Sequence, residues 1–267
     1  MRLAHHLLKE KIVCMTRDTK IKLSPARWLL VVLNAVSSPL QIIKDGDIKR
    51  TVRTFLAPWG EICLQDFKWG LKRRMFSALR PFRGKRVWSH GLSLIQEKFP
   101  ITEPVLYMEL KNGPFVTRTF YVTKWIESTN LGKTAQDKHL ISEKFLFALL
   151  KESTELVARL HSSDFVHTDL KWSNFLWIPS QQERIILTDL DHIEKSGTGE
   201  KQGKDLARFI LSALEYQMGW EVAEFLIDCY FDSRKVRPAG LEKSLAKRIE
   251  RKKNKYENRC PTKVEEQ

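Results

Sequence analysis

A chain of 267 residues with 42% hydrophobic and 29% charged residues is long enough to bury a substantial core and too apolar to remain disordered. Its formal net charge of +14 calls for a polyanionic counterpart: nucleic acid, an anionic membrane surface or a phosphorylated substrate. The longest apolar run, "WLLVVLNAV" at 28–36, is about half the length a membrane span needs.

The N-terminal "MRLAHHLLKEKIVCMTRD" carries charges inside its apolar stretch and no small-residue cleavage site, which argues against a secretion signal. Next, "TVRTFLAPWGEICLQDF" reads as two β-runs around a Pro-Trp-Gly turn, a hairpin. Between Asp66 and Glu97 there is no acid but eight bases: Lys68, Lys72, Arg73, Arg74, Arg80, Arg83, Lys85 and Arg86. That asymmetry points to an anionic partner rather than a merely solvated surface. "RVWSHGLSLIQEKF", 86–99, has helical spacing in Val87, Leu94 and Ile95, with Pro100 as a stop. "PVLYMEL" and "FVTRTFYVTKWI" are strands joined by the turn "KNGP".

After a connecting segment at about 125–135 the pattern becomes helical. "LISEKFLFALLKESTELVARLHSS" places Leu146, Leu149, Leu150, Leu156, Val157 and Leu160 at helical spacing. "NFLWI" and "RIILTDL" flank "PSQQE" as a second hairpin, and "GKDLARFILSALEYQ" and "WEVAEFLIDCYF" are helices. A second basic cluster, "RKVRPAGLEKSLAKRIERKKNK", follows. Strands first and helices after, without repeats or low-complexity linkers, predict an α+β, two-lobed plan. The four cysteines, Cys14, Cys63, Cys229 and Cys260, show no CxxC or metal-ligand spacing and read as reduced thiols of a cytoplasmic protein.

The stretch "FVHTDLKWSNFLW", 165–177, sets four polar groups into an apolar frame. His167, Asp169, Lys171 and Asn174 reproduce the spacing of the protein-kinase catalytic loop, H-x-D-L-K-x-x-N, with Thr168 in the place of Arg. The hairpin that follows ends in "ILTDLDHI", where Asp189 occupies the position of the metal-binding Asp of D-F-G. Phosphoryl transfer uses such groups: a carboxylate for the attacking hydroxyl's proton (Asp169), hard oxygens for Mg2+ (Asn174, Asp189) and a cation at the transferred phosphate (Lys171). His167 would pin the loop backbone. Asp205, in "GKDLARF", sits where kinase-like folds brace that loop.

"HTDLKWSNFL", "ILTDLDHI", "KDLARFI" and the upstream "LRPFRGKRVWSHGLSLIQEKFPITEPV" resemble the lipopolysaccharide kinase family (the Kdo kinase, heptose kinase and InaA-like group) over roughly residues 40–220. The resemblance implies one kinase-like domain over 1–267, with an N-lobe at about 40–127, a C-lobe at 128–233 and a basic helix or tail at 234–267. It implies transfer of phosphate from ATP, with Mg2+, to a Kdo or heptose hydroxyl of the lipopolysaccharide core oligosaccharide. The protein would be cytoplasmic and peripheral on the anionic inner face of the inner membrane. Nucleic acid, resting on charge alone, is the more distant partner.

The N-lobe departs from the family pattern. The strand expected to end in a phosphate-binding Lys reads "EICLQDF", with Gln65 in that place. Lys68 lies three residues on, an odd offset that points to the opposite strand face, but a bulge or early strand end could bring it round, and it is the preferred substitute for the missing lysine; Lys49 and Arg50 are the other candidate cations. Val87 takes the place of the partner Glu. Gln65, Lys68 and Trp125, at the start of the connecting segment, are the expected nucleotide contacts. Two other readings stay open: an atypical serine/threonine protein kinase, disfavoured by the short "DLDHIEKSGTGEKQGKDL", and a non-catalytic pseudokinase, motivated by Gln65 and Val87.

Overall fold

The computed structural model describes residues 11–17, 23–71, 74–75, 83–179, 185–234 and 236–257. Backbone contacts divide the chain into two compact units, Met1–Glu127 and Ser128–Gln267, the first built on a sheet and the second mostly helical. That is the α+β class the chain order predicts.

In the first unit, β1 (Lys11–Thr16), β2 (Gln41–Lys44), β3 (Lys49–Leu56), β4 (Gly60–Lys68), β5 (Pro104–Asn112) and β6 (Phe115–Lys124) form one antiparallel sheet in the order β1-β5-β6-β4-β3-β2. The two-residue period of the strands separates two faces. On one, Val52, Leu56, Ile62, Leu64, Leu106, Met108, Phe120 and Val122 pack under α1 (Pro25–Ser37), which adds Trp28, Leu29 and Val32. Asp66 belongs to this buried face and is held there by a forked pair of bonds from Arg118, 2.8 and 2.7 Å, so its charge is compensated where it is desolvated. On the other face, register sets Thr51, Gln65, Tyr121 and Tyr107 in one row. There α2 (Arg83–Gln96) stacks Trp88 on Tyr107, ring centroids 6.5 Å apart. α2 stops at Gln96, ahead of Pro100: Lys98 adopts a left-handed φ of 57°, and Phe99 N–H bonds the Leu94 carbonyl at 2.8 Å, closing the end as glycine usually does.

β1, α1 and β2 go beyond the sequence reading, which took 28–36 only as an apolar run. The helix had a start signal: Ser24 accepts a hydrogen bond from Arg27 N–H, and Pro25 opens the first turn.

In the second unit the connecting segment is partly ordered structure: β7 (Thr129–Asn130) joins a small sheet and α3 (Leu131–Gln136) follows, capped by the Asn130 side chain. α4 (Glu143–Ser162), capped by Ser142, buries the whole predicted stripe of Leu146, Leu149, Leu150, Leu156, Val157 and Leu160. Each such side chain contributes about 1.5–3 kcal/mol when fully buried. β8 (Phe165–His167) pairs with β11 (Ile193–Lys195), and β9 (Phe175–Trp177) pairs with β10 (Ile185–Leu187), the predicted second hairpin. α5 (Gly199–Glu215), α6 (Gly219–Asp232) and α7 (Leu241–Glu257) complete the unit. No helix among the described residues is long and apolar enough to cross a membrane. Cys14 and Cys229 are free thiols; Cys260 lies outside the described residues, as do Lys72, Arg73 and Arg80 of the basic run.

Candidate active site

The loop between β8 and β9 is fixed from below before any functional atom is placed. Leu170, Trp172 and Phe175 are fully buried; Trp172 stacks flat on Tyr216 at 5.5 Å, and Phe175 meets Phe209 edge-on at 5.1 Å. These apolar anchors alternate with the polar residues, so Asp169 and Lys171 are turned away from the core. The alternation that marks the sequence stretch is thus the anchoring pattern of the loop.

Polar bonds then lock the backbone. Buried Asp205 accepts from the His167 N–H at 2.5 Å and from His161 Nε2 at 3.2 Å. His161 Nδ1 lies 2.8 Å from the Tyr230 hydroxyl, which also accepts from Arg234. One direction of donation satisfies the whole chain: Arg234 to Tyr230, Tyr230 to His161, His161 to Asp205. These buried bonds tie the start of the loop to α4, α5 and the end of α6. The His167 ring sits 3.1 Å from the Thr188 carbonyl through Nε2, which requires a hydrogen on that nitrogen. Thr168, where the kinase pattern has Arg, donates to the His192 carbonyl at 3.1 Å. Asp205 thus receives the backbone N–H at the start of the loop, and the His167 ring reaches the backbone just after β10.

Asn174 donates through Nδ2 to the Asp169 carbonyl at 2.9 Å, which leaves its amide oxygen as the group able to ligate a cation. Asp189 has a left-handed backbone, φ 59° and ψ 46°, an uncommon state for a non-glycine residue that is retained at sites where direction matters. It turns the chain so that Asp169, Asp189 and His192 each offer one ligand atom, all within 4.8 Å of one another. Two carboxylates and an imidazole grouped in this way fit a divalent cation.

Lys171 Nζ bonds Asp169 Oδ2 at 2.7 Å, and Arg208 Nε lies 3.8 Å from Oδ1. Partial burial pushes the Asp169 carboxyl up, but the Lys171 hydrogen bond and the charges of Lys171, His192 and Arg208 outweigh it and hold its pKa below the ordinary carboxylate value. Asp169 is accordingly a carboxylate, able to accept a proton, at neutral pH. His192, Arg208, His161 and Tyr230 were not singled out from sequence. Arg208 had a detectable signal, lying one helical turn after Asp205 on α5; His192 joins only because of the turn at Asp189.

Gln65, Lys68 and Trp125 lie in the first unit. β4 pairs with β6 in unbroken register from Ile62 to Lys68, so no bulge brings Lys68 round: it stays on the face opposite Gln65. Lys49 is in register with Phe67, on the Gln65 face, with its ammonium 5.1 Å from the Phe67 ring centre. Val87 is buried. Trp125 is half-buried, bonds Glu127 at 3.0 Å through its indole N–H, and carries the Arg53 guanidinium over its ring at 4.7 Å.

Comparison with known proteins gives a family and a fold. The family model described as "Lipopolysaccharide kinase (Kdo/WaaP) family" matches residues 73–230, more than half of the chain. No curated protein sequence matches. Among solved structures, one of WaaP in complex with acyl carrier protein superposes with a TM-score of 0.61 at 18% identity, covering 93% of this chain and 98% of that one; at that identity the likeness is one of fold.

Proposed function

Because the chain belongs to the lipopolysaccharide kinase (Kdo/WaaP) family, we propose that it transfers the γ-phosphoryl group of ATP to a Kdo or heptose hydroxyl of the lipopolysaccharide inner core. The observation that carries this reading is the Asp169 carboxylate, kept ionised by Lys171 and grouped within 4.8 Å of Asp189 and His192. Asp169 orients the attacking hydroxyl and takes its proton as the new O–P bond forms and the bond to ADP breaks. Lys171 counters charge on the transferred group. Asn174 and Asp189 would hold Mg2+, which supplies charge neutralisation at the phosphates. The exposed bases Arg74, Lys85 and Arg86 would face the anionic inner membrane from the cytoplasmic side. The test is transfer of labelled phosphate from ATP to a panel of truncated core lipopolysaccharides by the purified protein; no transfer to any of them removes the reading.

Lys171 gives a pH test. A depressed carboxylate pKa keeps the base available down to low pH, and activity falls as pH drops through that pKa. Lys171→Met removes the first of the lowering influences and leaves burial, which raises it. The acid limb of the kcat/KM profile should therefore move to higher pH. An unmoved acid limb would mean that Lys171 does not set the ionisation of Asp169.

Gln65 favours a second reading, a pseudokinase, since no cation occupies its position. If the protein is active, Lys49 on the same sheet face is the substitute: Lys49→Ala should lower kcat/KM for ATP about tenfold or more, equivalent to about 1.4 kcal/mol per decade. Lys68→Ala, on the opposite face, should change it little. A wild type inert towards every acceptor but activated by Gln65→Lys would establish the pseudokinase reading instead.

A further inference from the structure

The far side of α5 from the core has a feature that the proposed reaction does not use. At its N-terminal end α5 lies hard against the start of α7: a Cβ added at Gly199 or Gly203 would come within 2.4 Å of the Ala239 or Leu241 carbonyl oxygen. Those glycines permit the close approach. Beyond them, where the next residues on the same stripe are Ala207 and Leu211, a groove of about 810 Å³ separates the two helices. Ala207 and Leu211 contribute its apolar lining; Lys204 and Arg208 come from α5, and Lys243, Lys247, Arg248 and Arg251 from α7.

Three facts separate this groove from an ordinary solvated surface. Lys243, Lys247 and Arg251 are four residues apart, so they form one line along the groove, a like-charge spacing that destabilises an isolated helix. Among the described lining residues the single carboxylate is Glu200, and Lys204 already neutralises it at 2.5 Å. The hydrogen bond from Lys204, then its charge and those of Arg248 and Lys247, hold Glu200 below its ordinary pKa, as a field of one sign would. Finally, Arg208 belongs both to this lining and to the surroundings of Asp169, 3.8 Å from its carboxylate.

We propose that the α5–α7 groove binds the phosphate groups of a phosphorylated saccharide, holding the acceptor while one of its hydroxyls reaches Asp169. Guanidinium and ammonium groups on two facing walls can surround a phosphomonoester, with Arg248 and Arg251 able to grip it bidentately. The concave form and the recessed apolar residues suit a compact headgroup better than a bilayer plane, which recruits helices through projecting apolar side chains. The assignment rests on the acceptor class proposed above and deepens it.

The test reads binding without nucleotide. The probe is a glucosamine disaccharide carrying two phosphomonoesters and no acyl chains, titrated calorimetrically beside its dephosphorylated form, phosphatidylglycerol-containing vesicles and poly-L-glutamate. The wild type should bind the phosphorylated disaccharide and not the dephosphorylated one. A Lys243→Gln, Lys247→Gln, Arg251→Gln variant should bind it about tenfold or more weakly, with a reduced salt dependence and with its melting temperature and acceptor-independent ATP hydrolysis unchanged. The single variant Arg251→Gln should lose about threefold, the loss of one charge-assisted contact, and serves if the triple variant does not fold. Protein that binds the disaccharide through these residues yet proves inert towards ATP supports the groove while sinking the kinase reading. Equal affinity in variant and wild type, or a wild type that binds only vesicles or only polyglutamate, overturns the proposal.

Discussion

Asp169→Asn is expected to lower kcat for phosphate transfer about 1000-fold, in the middle of the range for loss of a positioned general base, while leaving the KM for ATP within about twofold, as for an interaction made only in the transition state. The substitution keeps the shape of the side chain and one oxygen that Lys171 can still bond, but an amide cannot take the hydroxyl's proton. Asp169 is part-exposed, and its anchors Leu170, Trp172 and Phe175 are untouched, so the melting temperature should change little. Stopped-time assays with labelled ATP and a core acceptor, run beside thermal melts, separate the two effects. Turnover near that of the wild type would remove Asp169 from the base's role and leave the carboxylate group at Asp189 as the centre to explain.

The parts of the fold that were legible are those whose signal is local. The stripe on α4 spans 20 residues and repeats its apolar positions without interruption, and the two hairpins carry their turn residues between their strands. β1 was not legible, because its partner is β5, with Lys11 opposite Lys111, and nothing near residue 11 specifies so distant a pairing. α1 was obscured by its own composition. Leu30 is 67% exposed and Val31 37%, so apolar residues cover faces that a helix normally makes polar, and the period is lost in an even apolar run. The catalytic loop was legible because chemistry constrains its spacing. His192 was not, since its place beside Asp169 depends on the left-handed backbone at Asp189, and a sequence does not declare which Asp will adopt it. For the α5–α7 groove the C-terminal basic cluster was visible in the sequence, but only the close approach at Gly199 and Gly203 sets it opposite Lys204 and Arg208. Lys68, preferred from the sequence as the substitute cation on the supposition of a bulge, stays on the opposite face because β4 keeps its regular register through Lys68.

Asp205→Ala should destabilise the protein by about 3–5 kcal/mol, the size expected when one member of a buried polar network is deleted. Its carboxylate is almost wholly buried, and one oxygen, Oδ2, receives both the His167 N–H and His161 Nε2. Alanine would leave both donors without a partner in a space closed to bulk solvent, and would also leave a cavity beside α4. Release of the His167 backbone should loosen the loop ahead of Asp169, so transfer should fall even in the fraction that remains folded. Asp205→Asn separates acceptor from charge. The amide oxygen can take the place of Oδ2 and receive both bonds, and the amide nitrogen would occupy the position of Oδ1, which makes no hydrogen bond among the described residues. What is lost is the strength of two charge-assisted bonds, and the expected cost is about 1–2 kcal/mol. Denaturant melts of the two variants should therefore rank alanine well below asparagine, with the wild type highest. Equal stability of the two variants would show that the charge of Asp205, and not its capacity to accept both bonds, braces the loop; melts indistinguishable from the wild type for both would leave His167 held by its ring bond to Thr188 alone.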